Sequence, residues 1–365
     1  MKEIEIKENQ LREYMKSHGY EGILLFRRDT FSWLTAGRIS HIIRSTEFGM
    51  VALFITADQK YCIANQVEKY RMMEEEGLGG LDYELLEINW WEEDYIGCIR
   101  RRFGALKMGS DKPLPDADDI YEDLKKLRFS LLPKEIVRYR ELSLICTNAV
   151  EQTCREILPG DTEQEVCANL AGKVMRFGIE ASVALVASDR RIFKYRHPVD
   201  TDKKIDKYAM VVLCGRKYGL FANLTRFIHF GNPPEELIRK FELVRKIDAE
   251  VIVNTVVGRS IADIFKVITG EYEEAGYKDE WKLLHQGGPT GYATRDFLAT
   301  PKHHEHVHNN QAFTWNPSIT GTKSEDTILV SKNGFEVLTD SRNWPSVKIK
   351  AKNGMTVERP DLLIR

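Results

Sequence analysis

The sequence predicts a mixed α+β protein in two parts: a small α/β domain over residues 1–128 and a larger α+β domain over residues 129–365. Three observations carry this reading. The chain has 365 residues, more than one hydrophobic core usually organises. Its first third alternates short apolar runs with helical periodicity, the pattern of strands exchanging with helices. The remainder sets capped helices beside strand pairs and hairpin signals, which suits helices on the outside of a curved antiparallel sheet.

The elements follow in order. Residues 7–18 read as a short amphipathic helix, Gly22–Phe26 as a buried strand and Phe31–Ala36 as a short helix. Gly49–Ile55 and Lys60–Ile63 read as paired strands turning at Ala57-Asp58, and residues 66–77 and 92–104 as helices. The aromatic stretch Asn89-Trp90-Trp91 is read as core packing rather than as a lid or interface. The boundary falls between Leu127 and Lys134. A long helix then places Ile136, Tyr139, Leu142, Cys146, Ala149, Thr153 and Ile157 on one stripe and stops at Pro159-Gly160. Thr162-Glu-Gln-Glu165 is a capping box for the next helix, which stops at Gly178. Met210–Cys214 and Tyr218–Phe221 form a hairpin around Gly215-Arg-Lys. Pro233-Pro234 opens a helix to about Val257, and Ser260 caps another running toward Gly276. Strands follow at 311–315, 326–331 and 335–338, with Asn333-Gly334 as a hairpin turn. No internal repeat is visible.

Composition narrows the class. With 42% hydrophobic and 30% charged residues the chain reads as an ordinary globular protein. A net charge of −2 argues against nucleic acid as a partner. No apolar run approaches the roughly 18–20 residues of a membrane span. The N-terminal MKEIEIKENQLREYMK is charged and is followed by no signal-peptide core. The six cysteines (62, 98, 146, 154, 167 and 214) form no CxxC pair, which points to reduced, buried thiols in a cytoplasmic protein. The glycosylation sequon Asn223-Leu-Thr225 is read as empty.

Three phrases hold the chemistry: Phe221-Ala-Asn-Leu-Thr-Arg226, Leu284-His-Gln-Gly-Gly288 and Lys323-Ser-Glu-Asp-Thr-Ile-Leu-Val330. Together with Leu158–Glu163 and Arg196-His197-Pro198, they occur in the order found in the creatinase/prolidase/methionine aminopeptidase superfamily, which this chain resembles. The resemblance covers about residues 134–340. It implies a pita-bread catalytic domain preceded by a creatinase-type N-terminal domain, nearer to creatinase and the prolidases than to methionine aminopeptidases. It also implies a homodimer and a structural pseudo-twofold within the larger domain.

The family's peptidases hold two divalent cations with two Asp, one His and two Glu. Carried onto this chain, the Asp positions fall at Val212 and Asn223, the His at His285, and the Glu positions at Asn316 and Glu325. A further catalytic-side His position is Tyr292. Most of the carboxylate charge is therefore absent, and uncompensated charge in a buried cleft costs several kcal/mol per ion. Val ligates nothing, and Asn is a poor ligand for transition metals. A dinuclear Mn, Co or Zn centre is not expected, and no cofactor is implied. At most, one weakly held metal on His285 and Glu325 remains chemically available.

Creatinase, within the same superfamily, hydrolyses a C–N bond without metal, using a His in a segment that matches His197-Pro198-Val199. The resemblance thus implies catalytic roles for His197, His285 and Glu325, with His197 as proton shuttle. Asn223, Arg226, Tyr292, Arg295, Asn316 and Lys323 are the candidate substrate-binding residues. Arg226, Arg295 and Lys323, with Arg196 beside His197, make the pocket positive, so the expected substrate is a small molecule or short peptide bearing a carboxylate or another anion. Two alternatives stand beside a metal-independent C–N hydrolase. One is a metal-dependent Xaa-Pro aminopeptidase or dipeptidase. The other is a pseudo-peptidase that binds a peptide or small ligand without turnover. The run His303-His304-Glu305-His306-Val307-His308 is read as an exposed loop, and Gly77-Leu-Gly-Gly80 lacks the context of a phosphate loop.

Overall fold

Apolar strands in the first part pair on both sides of Gly22–Arg27. A computed structural model describes residues 2–365 and divides the chain into two compact units, Met1–Arg128 and Phe129–Arg365. The described residues of the first unit form one mixed sheet. Its strands run in the order Glu84–Ile88, Lys60–Asn65, Phe48–Thr56, Gly22–Arg27, Met108–Ser110 and Asp118–Asp119. Leu24, Phe26, Ala52, Phe54, Tyr61 and Ile63 supply its core together with Cys98 and Ile99 of the helix Tyr95–Phe103.

Several expectations for this unit are corrected. The first helix begins earlier, at Glu3, and runs to His18. The helix expected over 66–77 reduces to a short turn whose Arg71–Glu75 segment is π-wound, with Glu76 N–H donating to the Arg71 carbonyl. Asn65 caps the start of that turn, its side chain accepting from the N–H groups of Val67 and Glu68. Trp90 and Trp91 are not core residues; they are 57% and 62% exposed and meet edge to face.

In the second unit, the long helix Pro133–Glu156 and the helix Glu163–Met175 lie beside a sheet ordered Leu363–Ile364, Leu220–His229, Tyr208–Lys217 and Glu180–Ser188. The capping box at Thr162 forms as expected. A second sheet runs Gly287–Thr290, Gln311–Trp315, Asp326–Ser331 and Gly334–Val337. The helices Glu235–Asn254 and Ile261–Glu274 pack on it through Val244, Ile247, Val251, Ile264, Phe265 and Ile268 against Phe313, Trp315 and Ile328. The α+β class therefore stands. The two sheets join where Thr225 N–H donates to the Glu325 carbonyl and Asn223 N–H to Thr327 Oγ1.

The first hairpin is longer than expected and turns at Tyr218-Gly219, not around Gly215-Arg-Lys. Both turn residues have positive φ, 58° and 79°. Gly215 instead lies in the strand, where a Cβ would meet Cys146 Sγ at 2.3 Å, so its missing side chain makes room for the long helix. Among the strands without a sequence expectation are Glu180–Ser188, Gly287–Thr290 and the hairpin Ser346–Lys350/Thr356–Pro360. Burial pushes the thiols of Cys62, Cys154 and Cys214 up to about 12, and the cysteines are free. Among the described residues no helix is long and apolar enough to cross a membrane.

Candidate functional site

Strand alternation decides which side chains meet at the junction of the two sheets. Asn223 and Thr225 project to one face of Leu220–His229, and the next residue, Arg226, to the other. Thr225 Oγ1 donates to Glu325 Oε2 at 2.6 Å. Asn223 Nδ2 donates to Thr314 Oγ1 at 3.1 Å and Thr290 Oγ1 at 3.3 Å, while Thr327 Oγ1 donates to the Asn223 carbonyl. Val212 sits opposite Thr225 in the ladder and brings a buried hydrocarbon.

Glu325 is the anionic centre of this junction. Lys323 Nζ lies 2.9 Å from Oε2, and Arg295 Nη2 donates to Oε1 at 3.1 Å. The same Nη2 reaches Asn316 Oδ1 at 3.3 Å, and Arg295 Nη1 donates to the Thr294 carbonyl at 2.6 Å. Burial alone would push the Glu325 carboxyl up. Lys323 and Arg295, with the hydrogen bonds from Lys323 and Thr225, outweigh it and hold the group down at about 2. Two cations against one carboxylate leave the cluster with one net positive charge while the imidazoles are neutral.

The imidazoles of His197 and His285 flank this cluster, with ring centroids 5.8 Å apart. Asn316 Nδ2 donates to the His285 carbonyl at 3.1 Å, which fixes the segment carrying that ring. Burial first, then the nearby Arg295, drives His285 down to about 4. Burial and Lys323 lower His197 as well, with Glu325 opposing them. Asn223 Oδ1 and His285 Nδ1 are buried and find no hydrogen-bond partner among the described residues.

Of the residues singled out from sequence, the structure brings together His197, His285, Arg295, Asn316, Lys323 and Glu325, with Asn223 alongside. Arg226 and Tyr292 are placed elsewhere. Arg226 is buried in a separate network, donating to Asp326 Oδ1 at 3.0 Å and to the Thr339 carbonyl at 2.8 Å, with Glu151 at 3.6 Å. Arg359 completes that network 2.8 Å from Asp326 and 2.6 Å from Asp248. Tyr292 is buried with its hydroxyl donating to Glu135 at the start of the long helix. Arg196 pairs with Glu280 and Thr320. His303 stacks on Phe297 at 4.7 Å and His308 lies edge-on to Phe129, so the histidine run is split among separate contacts. The sequon residue Asn223 has no exposed surface. Thr225, Thr290, Thr314 and Thr327 were not singled out as site residues from the sequence, although strand parity with Asn223, Asn316 and Glu325 was a signal for Thr225, Thr314 and Thr327.

The metal pair implied by the family resemblance does not fit this donor set. Val212 has no donor atom, the Asn223 amide nitrogen is spent on two threonines, and protein donors engage both Glu325 oxygens. Among the described residues no group of three or more His, Cys, Asp or Glu is arranged to hold a metal ion.

The family model for metallopeptidase family M24 matches residues 137–332, and that for the creatinase/prolidase N-terminal domain matches residues 8–112. An uncharacterised peptidase of Staphylococcus epidermidis is 25% identical over 256 residues, covering 66% of this chain and 70% of its own. A Xaa-Pro dipeptidase of Pyrococcus horikoshii is 26% identical over 289 residues, covering 75% of this chain and 78% of its own. Among solved structures, the prolidase of Pyrococcus horikoshii superposes with a TM-score of 0.78 at 19% identity, over 92% of this chain and 98% of that one.

Proposed function

Because the chain belongs to metallopeptidase family M24, a family of hydrolases with the pita-bread fold, we propose that it is a hydrolase working without metal on a C–N bond of a small, carboxylate-bearing amide or amino-acid derivative. One observation carries the reading: Arg295 and Lys323 saturate Glu325 beside two imidazoles held neutral. Such a cluster favours an anion and offers a base.

In this reading the substrate carboxylate lies against the remaining N–H groups of Lys323 and Arg295. A water molecule attacks the carbonyl carbon while His197 takes its proton. The tetrahedral intermediate collapses as His197 passes that proton to the leaving nitrogen, the C–N bond breaks, and an acid and an amine leave. His285, whose low pKa makes it a weak base, serves as a neutral hydrogen-bonding group toward the substrate. Glu325 stays ionised and acts through the two cations it positions. Asn316 holds Arg295 and the His285 backbone. Arg226 and Tyr292 maintain the scaffold instead of touching substrate.

The test is turnover of N-acyl amino acids and Xaa-Pro dipeptides by untagged protein, with EDTA and with added Mn²⁺ or Co²⁺. Carboxylate-bearing amides should be cleaved equally in EDTA. His197→Gln should lower the rate by about 10²–10⁴-fold, the size of a general acid–base contribution, while the melting temperature holds. Cleavage of Xaa-Pro dipeptides only with metal would replace this reading with a metallodipeptidase, the class that the name of the Pyrococcus relative suggests. Saturable binding without turnover of any substrate would make the chain a binding protein.

A further inference from the structure

We propose that Arg295 and Lys323 are resident counter-cations that themselves exclude divalent metal from this site, so that putting back the missing carboxylates would not by itself restore metal binding. The inference deepens the metal-free reading and rests on it.

The geometry of Arg295 is the first argument. Its Nη2 reaches both Asn316 Oδ1 at 3.3 Å and Glu325 Oε1 at 3.1 Å. Those are the two positions where the resemblance puts the family's glutamate ligands, and one guanidinium nitrogen now spans them. Lys323 and Thr225 take the other Glu325 oxygen, at 2.9 Å and 2.6 Å. Three of this carboxylate's roughly four lone-pair directions are thereby taken, which leaves one, on Oε1, facing the Arg295 guanidinium side. The second argument is burial. The side chains of Arg295 and Lys323 are only 9% and 8% exposed and that of Glu325 is 5%, so water screens little of their repulsion toward an incoming dication. The third is rigidity. Arg295 is also tied to the Thr294 carbonyl at 2.6 Å, so the guanidinium is anchored on its own loop as well as to Glu325. The loss of three carboxylates would by itself weaken metal binding; the two cations add a barrier of their own, because each favours the site without a metal.

Calorimetric titration with Mn²⁺, with bound metal counted by elemental mass spectrometry, separates the two causes. Three full-length untagged proteins are compared: wild type, the carboxylate-restored Val212→Asp/Asn223→Asp/Asn316→Glu protein, and that protein with Arg295→Gln and Lys323→Gln added. The restored protein with its cations should bind Mn²⁺ at least ~100-fold more weakly than the one without them, since like charges at contact distance in a buried site repel strongly. Equal affinity overturns the proposal. If the restored proteins fail to fold, wild type is compared with Arg295→Gln/Lys323→Gln alone, using Zn²⁺, for which the imidazole of His285 and the carboxylate of Glu325 are suitable ligand types. The double variant should bind at least ~10-fold tighter, and no difference overturns the proposal. Tight binding of two Mn²⁺ by wild type would overturn both this inference and the metal-free reading. A wild type without metal, alongside equal affinities in the restored pair, would overturn this inference alone.

Discussion

At the scale of single residues, two imidazoles of identical chemistry are set apart by their surroundings. His285, held at about 4 by burial and by Arg295, is neutral across the physiological range and weak as a base. His197 is lowered by burial and then by Lys323, with Glu325 pulling the other way. A base works only in its unprotonated form, so activity should fall as pH drops through the His197 pKa. Replacing Lys323 by Met removes a cation that disfavours the imidazolium, which raises that pKa. The acidic limb of the kcat/KM profile should therefore move to higher pH in Lys323→Met, and a limb that stays put or moves down would refute the pairing. Identities at this scale were legible in the sequence: Val212, Asn223 and Asn316 announce a charge deficit without any coordinates. Pairing was not. Arg226 and Arg295 look alike in sequence, yet Arg226 projects behind the strand to Asp326 while Arg295, from a loop with no periodicity to read, reaches Glu325.

At the scale of elements, the second sheet depends on a strand that does not look like one. Gly287-Gly-Pro-Thr290 carries two glycines and a proline, which ordinarily signal a loop. It is an edge strand, where a missing N–H is tolerated, and it pairs with Gln311–Trp315 in the register Gly287 to Trp315. Gly287 has φ 102°, and a Cβ there would lie 2.1 Å from the Thr314 carbonyl and 2.8 Å from Asn316 Oδ1. The glycine is what lets the chain carrying His285 approach the strand Gln311–Trp315 and the Asn316 that follows it. Gly287→Ala should lower stability by at least ~2 kcal/mol, from backbone strain and a forced displacement together. It should also weaken substrate binding, because Asn316 can no longer hold the His285 carbonyl. Chemical denaturation reads the first effect and KM the second; an alanine variant of wild-type stability would show that the strand can move aside. Long periodic helices such as Pro133–Glu156 were readable because each turn repeats the same apolar signal, whereas short edge strands offer a handful of residues and no repeat.

At the scale of the whole molecule, the charge cluster ties folding stability to pH. In the unfolded chain His285 takes up a proton near pH 6.5, but in the folded protein it holds out to about 4. Between those values the unfolded state binds more protons, so stability falls as pH falls. Glu325 adds the same sign in a lower window. Its unfolded carboxyl protonates near 4.5 and its folded one only at about 2, so its stabilising contribution is present above 4.5 and is lost on descending to 2. The windows adjoin, and together the two groups weaken the fold continuously from pH 6.5 to 2. Burial drives the His285 shift first, with Arg295 and then Lys323 adding to it, whereas at Glu325 the same two cations outweigh a burial that pushes the other way. Removing them with Arg295→Gln/Lys323→Gln should raise the Glu325 pKa and abolish its stabilising contribution between 4.5 and 2, while the His285 window, set first by burial, grows shallower without vanishing, even if the variant is less stable at pH 7. Hydrogen exchange over Gln311–Trp315 and Asp326–Ser331, the strands that hold the cluster, measures this locally without requiring the two compact units to unfold together. Wild-type protection should fall as pH drops from 6.5 to 2 after correction for intrinsic exchange, and the double variant's should fall less, most clearly between 4.5 and 2. Parallel slopes in the two proteins would mean that the pH dependence arises elsewhere in the chain and that Arg295 and Lys323 do not control these two titrations.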